Sequence, residues 1–418
     1  MKFGTNTLLG LLGSSAVALR SPVASKAPLD DLTHPHQHVI STPASLTLAS
    51  SHPPPSTADL VQLHKNLVRI PSISGAEANA TAWLADYLRA RGFTVLIQPV
   101  APGNGRANLW AYVGTTRQTR VLVTSHIDTV PPFWPYERKT ADGRLLSDDD
   151  PVTTSDVLWG RGTVDAKGSV AALVVAVDRL LRSDAIREGD VALLVDVGEE
   201  RGGDGIRAAN RLGLAWEAVI FGEPTRLKLG RGHKGGLGFN VTAHGKAGHS
   251  GYPEQGDNAI DRLVRGLSAL LGVRLPGSAE FGNTTLNIGT IHGGVAANVI
   301  PETAAATVSV RVAGGTLEGI QKQIAAAVLA VEPSLALDFA YGRGPISLDY
   351  DIDGFDTVVL NYGTDIPGLQ GDHKKYLYGP GDILVAHSDH EHLLVADLEG
   401  AVEGYKTLIT ESLKRSRT

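Results

Sequence analysis

Three short runs of branched apolar residues, each ending at ionisable side chains, constrain the fold of this chain more than any other feature. Arg120-Val121-Leu122-Val123-Thr124 runs into Ser125-His126-Ile127-Asp128. Val191-Ala192-Leu193-Leu194-Val195 runs into Asp196-Val197-Gly198-Glu199-Glu200, and Ala218-Val219-Ile220-Phe221 into Gly222-Glu223-Pro224. Runs this short and this apolar read as strands buried on both faces. Helical spacing surrounds them: Leu60-Val61, His64 and Leu67-Val68; Trp83-Leu84 and Tyr87-Leu88; and a longer stretch after Gly168 through Val170 to Val175. Strands alternating with helices predict an α/β fold, a mainly parallel sheet with helices on both faces.

After about Gly230 the texture changes. Phe239 to Ala243 alternates, a helix is expected from Asn258 to Leu271, strands near Thr285–Ile288 and Ala305–Val310, and a helix near Leu317 to Val331. Strand, helix, two strands, helix is the order of a two-layer α+β unit. The expected division is therefore a main domain over residues 57–229 and 341–418, interrupted by an inserted domain over 230–340. The sequence past Gly342 reads as loops, then a final helix from about His392 to Lys414.

Residues 1–18 read as a secretory signal: Lys2, an apolar run from Leu8, and a small-x-small triplet at Ala16 to Ala18. Residues 19–56, rich in Pro, Ser, Thr and His, read as a flexible leader that has too little apolar surface to build a core. A secreted, extracellular protein is the expectation, with sequons for glycosylation at Asn79, Asn240 and Asn283. Nucleic acid is not an expected partner, because a net charge of −6 leaves no basic excess for phosphates. No later run is apolar enough to suit a bilayer, so no membrane partner is expected.

The 418 residues include no cysteine, which excludes disulfides, a thiolate metal site and a catalytic thiol. Any transition metal must be held by imidazole and carboxylate. His126 and Asp128, two apart at a strand end, point the same way on an extended backbone and suit a ligand with a modulating carboxylate; a plain hydrogen-bonded pair is the alternative. Asp165, between a glycine-rich turn at Gly160 to Gly162 and a helix start, either caps that helix or bridges two cations. Glu199 and Glu200 on an extended chain face opposite sides, so that one holds metal and the other meets water, unless the pair is a solvated loop. Pro224 restricts Glu223 to extended geometry. His387, in Ala386-His387-Ser388-Asp389-His390-Glu391, supplies a late imidazole.

In this order and combination, over about residues 57 to 415, the motifs resemble the M20 metallopeptidase family, which includes carboxypeptidases, acetylornithine deacetylase and succinyl-diaminopimelate desuccinylase. The resemblance implies one zinc on His126, Asp165 and Glu223, a second on Asp165, Glu200 and His387, and Glu199 as general base with Asp128 beside the first ligand. Cobalt or manganese would suit the same ligands. It implies that His249 of the inserted lid polarises the scissile carbonyl, that Asn298 and Arg311 contact substrate, and that the Asp165–Ala166 peptide is cis. The expected substrate is a peptide or an N-acyl amino acid, and a homodimer through the lid is allowed. The expected activity is that of an exopeptidase or carboxypeptidase. Its rivals are an aminoacylase with the same metal site and an inactive binding protein, which the complete ligand set and Glu199 disfavour.

Overall fold

The computed structural model describes residues 53–103, 105–340 and 342–415. The signal-like run and the leader as far as His52 lie outside the described residues.

A six-stranded sheet organises the main domain. Its spatial order is Thr94–Pro99, Ala107–Tyr112, Val191–Asp196, Val121–His126, Ala218–Gly222 and Lys374–Tyr378. The last four run parallel, and Ala107–Tyr112 runs antiparallel to both of its neighbours. The three apolar runs are thus the centre of the sheet, where both faces must be covered. Val121, Val123, Leu193 and Val195 face the helices Thr57–Arg69, Lys167–Arg182 and Val395–Arg415. Leu122, Ala192 and Leu194 face a second core with Trp110, Trp216 and Leu377. That opposite face is covered by the short helix Asp204–Ala209 and by residues between Leu348 and Leu369, less helix than the sequence pattern predicts.

Three strands of this sheet escaped the sequence reading. Lys374–Tyr378 begins with two lysines, and Ala107–Tyr112 carries Asn108, so neither shows a continuous apolar run. The expected start of the last helix also moves: His392–Leu394 is a strand, and the helix spans Val395–Arg415.

The inserted segment builds a four-stranded antiparallel sheet in the order Thr285–Gly293, Thr303–Val312, Gly235–His244, Ala336–Phe339. Its strands bury alternate residues, Phe239, Val241, Val308 and Val310 among them, beneath the helices Ala259–Leu271 and Leu317–Val331. Asn258 caps the first helix, accepting from the Ile260 and Asp261 N–H groups, and Thr316 caps the second. The strand Ala336–Phe339 is an addition to the expected pattern. Where the chain enters and leaves the insertion it pairs with itself: Leu229–His233 lies between Ile346–Ser347 and Thr357–Leu360. A backbone bridge joins Gly236 and Arg343.

Candidate metal centre

Parallel strands end on the same side, so the residues after them converge there. His126 closes its strand, Glu223 follows the strand Ala218–Gly222, and Glu199 and Glu200 follow Val191–Asp196 by a short turn. Asp165 precedes the helix Lys167–Arg182, across a cis peptide to Ala166. His387 comes from the loop before the last helix, with the left-handed backbone (φ 61°) that non-glycine residues seldom adopt.

These side chains form two triads with one shared member. Ligand atoms of His126, Asp165 and Glu223 lie within 4.8 Å of one another, as do those of Asp165, Glu200 and His387. Asp165 turns one oxygen to each imidazole: Oδ1 is 3.1 Å from His126 Nε2, and Oδ2 is 3.1 Å from His387 Nε2. Glu223 Oε1 is 3.7 Å from His126 Nε2, and Glu200 Oε1 is 3.0 Å from His387 Nε2. Of the two readings open for Asp165, this is the geometry of a bridge; it makes no side-chain cap to the helix that follows. The donor set, all oxygen and imidazole nitrogen in two compact triads, fits a pair of divalent cations.

The electrostatics of the protein alone point the same way. Burial pushes Glu199 up to about 8; nearby His126 opposes this, while Glu200 and Asp165 add to it. Burial raises Glu223 and Glu200 as well. His387 is raised to about 10 by its hydrogen bonds to Asp165 and Glu200. Burial works against charge on His126, but Glu223, Asp128 and Asp165 outweigh it and raise its pKa. Glu199, Glu200 and Glu223 are thus raised toward their protonated forms. At Asp165 burial is outweighed by the hydrogen bonds to His126 and His387, which hold the carboxyl below the usual carboxylate range. A dication among them would favour the charged form of every one.

One expectation about the glutamates is corrected. They are not on extended chain but in a 3₁₀ turn, Glu199–Arg201, between Gly198 (φ 82°) and Gly202 (φ 94°). Asp128 builds that turn. Its Oδ1 accepts from the N–H of Gly198 (2.8 Å) and Glu199 (3.1 Å), and its Oδ2 from Glu200 N–H (3.3 Å) and the Ser74 hydroxyl (2.6 Å). Its carboxylate stands 3.6 Å from His126 Nδ1, whose closer partner is the Asp128 carbonyl at 3.0 Å. The carboxylate thus serves the glutamate turn more than the imidazole.

Further residues around the centre left no mark in the sequence pattern. Glu391 is buried with Arg161 at 2.6 Å, and its other oxygen accepts from the N–H groups of Val164 (3.0 Å) and Asp165 (3.3 Å). This ties the backbone of the shared ligand to the loop that carries His387. Lys167, pushed down to about 7 by burial, donates to the carbonyls of Leu67 and Ile70 and so pins the end of the first helix beside Asp165. A local signal for these was missing, since Arg161 and Glu391 are 230 positions apart.

The triads open into a cleft of about 330 Å³ lined also by Arg311, Arg343 and Tyr362. Arg311 reaches it from the inserted sheet, and Arg343, which the sequence reading did not single out, lies beside it on the lining. His249 and Asn298 do not line this cleft. His249 is exposed on a two-stranded ribbon opposite Val299, its Nδ1 accepting from Gly251 N–H, and the Asn298 carbonyl accepts from Ser250 N–H. Asn79, Asn240 and Asn283 are all exposed.

Residues 231–335 match the family model for the peptidase dimerisation domain. An M20 peptidase domain-containing protein of Sordaria macrospora is 44% identical over 388 residues, 85% of each chain. A protein of Aspergillus flavus named a probable carboxypeptidase is 43% identical over 405 residues, covering 90% of this chain and 92% of its own. An M20 metallo-carboxypeptidase of Sulfolobus solfataricus has a similar fold, with a TM-score of 0.65 at 17% identity over 85% of this chain and 99% of its own. Identity of this degree over most of both sequences, with the metal-ligand motifs gathered at the strand ends, shows that the chain belongs to the M20 peptidase family.

Proposed function

We propose that this protein is a two-metal carboxypeptidase that removes the C-terminal residue of a peptide, with Glu199 as its general base. The observation that carries the reading is the single cleft that brings Asp165, shared between two triads, to face Arg311 and Arg343. The triads would hold two zinc ions, or cobalt or manganese. Such a pair, when bound, would supply Lewis acidity toward the scissile carbonyl and lower the pKa of the attacking water.

The chain's own residues do the rest. Glu199, beside both triads and a member of neither, takes the proton of the attacking water and returns it to the leaving nitrogen. Asp128 fixes the turn that aims Glu199. The guanidinium of Arg311 pairs with the free carboxylate of the leaving residue. His249 is proposed to donate toward the developing oxyanion after the lid moves or from a neighbouring subunit, with the exposed edge strand Thr285–Gly293 available for pairing in a homodimer. Secretion remains part of the proposal, resting on the apolar run after Lys2, and is tested by finding the mature protein in culture medium.

The activity test compares N-blocked dipeptides carrying a free C-terminal carboxylate with their C-terminal amides, before and after chelation. The acids should be cleaved and the amides should lag, with both rates lost on metal removal. Arg311→Ala should remove the preference for the acid. Equal cleavage of acid and amide by the intact protein would refute the carboxypeptidase reading.

A further inference from the structure

A second cavity of about 610 Å³ adjoins the metal cleft, and the two share Arg207, Arg311, Arg343 and Thr364 on their walls. Their chemistry is opposite. The metal cleft carries Asp165, Glu199, Glu200, Glu223 and Asp365, whereas the annex is lined by no aspartate or glutamate. Lys234 is added to the three arginines there.

The floor of the annex is cleared of side chains by the sequence. Gly236 and Gly238 are two apart on one strand, so they share a face, and they pair with Arg311 and Ser309 on the neighbouring strand. A Cβ at Gly236, Gly238 or Gly344 would meet nothing within 4 Å. The glycines leave open space beside the arginine that the metal cleft also uses.

Lys234 is the informative group. It is only 5% exposed, its ammonium donates to the Asn283 carbonyl at 2.6 Å, and it forms no ion pair with a described carboxylate. A buried cation without a counter-ion is costly, and an anion brought into the annex offsets that cost. Arg207, also on the lining, donates to the Gly202 carbonyl and likewise has no carboxylate partner among the described residues. One free α-carboxylate is satisfied by Arg311 at the junction, which leaves Lys234 still without a carboxylate among the described residues.

We propose that this annex selects peptides whose C-terminal residue is itself acidic: the α-carboxylate rests at the junction and the side-chain carboxylate enters the annex toward Lys234. The inference rests on the carboxypeptidase reading and deepens it. The leaving product is then a dicarboxylic amino acid, glutamate or aspartate.

The test uses the metal-loaded full chain and N-blocked dipeptides that differ only in a C-terminal Glu, Gln or Leu. Glu and Gln are nearly isosteric, so their ratio reads the charge. A charge-assisted hydrogen bond predicts that kcat/KM for Glu exceeds that for Gln by about tenfold or more, carried mainly by KM. Lys234→Met should bring that ratio toward one, and Lys234→Arg should restore it. Gly238→Leu, which fills the annex without touching a charge, should lower kcat/KM for Glu more than for a C-terminal Ala substrate and covers the case in which Lys234→Met fails to fold. Binding of free glutamate against glutamine to the metal-free protein gives a readout independent of turnover, with glutamate expected to bind more tightly. A Glu-to-Gln ratio near one in the intact protein, or a ratio unmoved by Lys234→Met, overturns the inference while leaving the carboxypeptidase reading intact. Equal cleavage of acids and amides overturns that underlying reading instead.

Discussion

Replacing Asp128 by Asn tests whether one buried carboxylate sets the geometry of the general base. Asp128 is fully buried and accepts four hydrogen bonds, three of them from consecutive backbone N–H groups of the glutamate turn. Asn is the same size but has one acceptor oxygen. If that oxygen keeps Gly198 and Glu199, the amide NH₂ faces the Glu200 N–H, donor against donor; the Ser74 hydroxyl can turn to accept. Two bonds weaken from charged to neutral and one backbone donor is orphaned, which amounts to about 2–4 kcal/mol. The His126 contact to the Asp128 carbonyl survives, so the imidazole stays oriented and the effect is confined to the turn. Urea denaturation should show the loss, and kcat should fall about 10- to 100-fold through misplacement of Glu199, with metal content retained. The sign with pH is also fixed. Burial raises the Asp128 pKa, but His126 and the hydrogen-bond donors outweigh it and hold it below 3.8. Its stabilisation is therefore present above the unfolded value and lost as pH falls through the folded one, so wild type and variant should converge in acid. A variant with wild-type stability and wild-type kcat would show that the turn does not depend on this carboxylate.

Asp165→Ala should lose both metals, because each triad includes it, and elemental analysis that still found two ions per chain would remove its bridging role. Glu199→Gln should abolish turnover with both metals bound, whereas Glu200→Ala should empty one site; exchanged phenotypes would reverse the two assignments. Chelated protein should lose thermal stability as pH rises. Glu199 is raised from 4.5 to about 8, so the fold holds a proton that the unfolded chain releases, and stability falls across that window. His387, raised from 6.5 to about 10, adds the same sign, its stabilisation being complete below 6.5 and lost toward 10. A melting temperature of the chelated protein that climbs with pH through this range would contradict the crowded-carboxylate picture.

The centre of the fold was legible because its signals are local. A fully buried strand must be apolar on both faces, so the runs at Val121, Val191 and Ala218 announce themselves, and a parallel arrangement puts the residues after them on one side of the sheet. His126, Glu200 and Glu223 could be nominated for that reason. The helix Leu317–Val331 was equally readable, with apolar periodicity between a Thr316 cap and Pro333. Lys374–Tyr378 was not: its place in the sheet comes from pairing with Ala218–Gly222, more than 150 positions earlier, and its own residues carry no matching pattern.

Tertiary structure alone decided the rest. Which oxygen of Asp165 faces which imidazole, that Glu199 and Glu200 sit in a 3₁₀ turn on the N–H groups that Asp128 accepts, and that Glu391 ties Asp165 to the His387 loop are relations between residues far apart in the chain. So is the position of Lys234 beside a floor of glycines. Periodicity records which way a side chain faces within its own element. It carries no record of which distant element will stand opposite, because that is settled by how the sheets and loops pack together, and the chemistry of this site depends on those facing pairs.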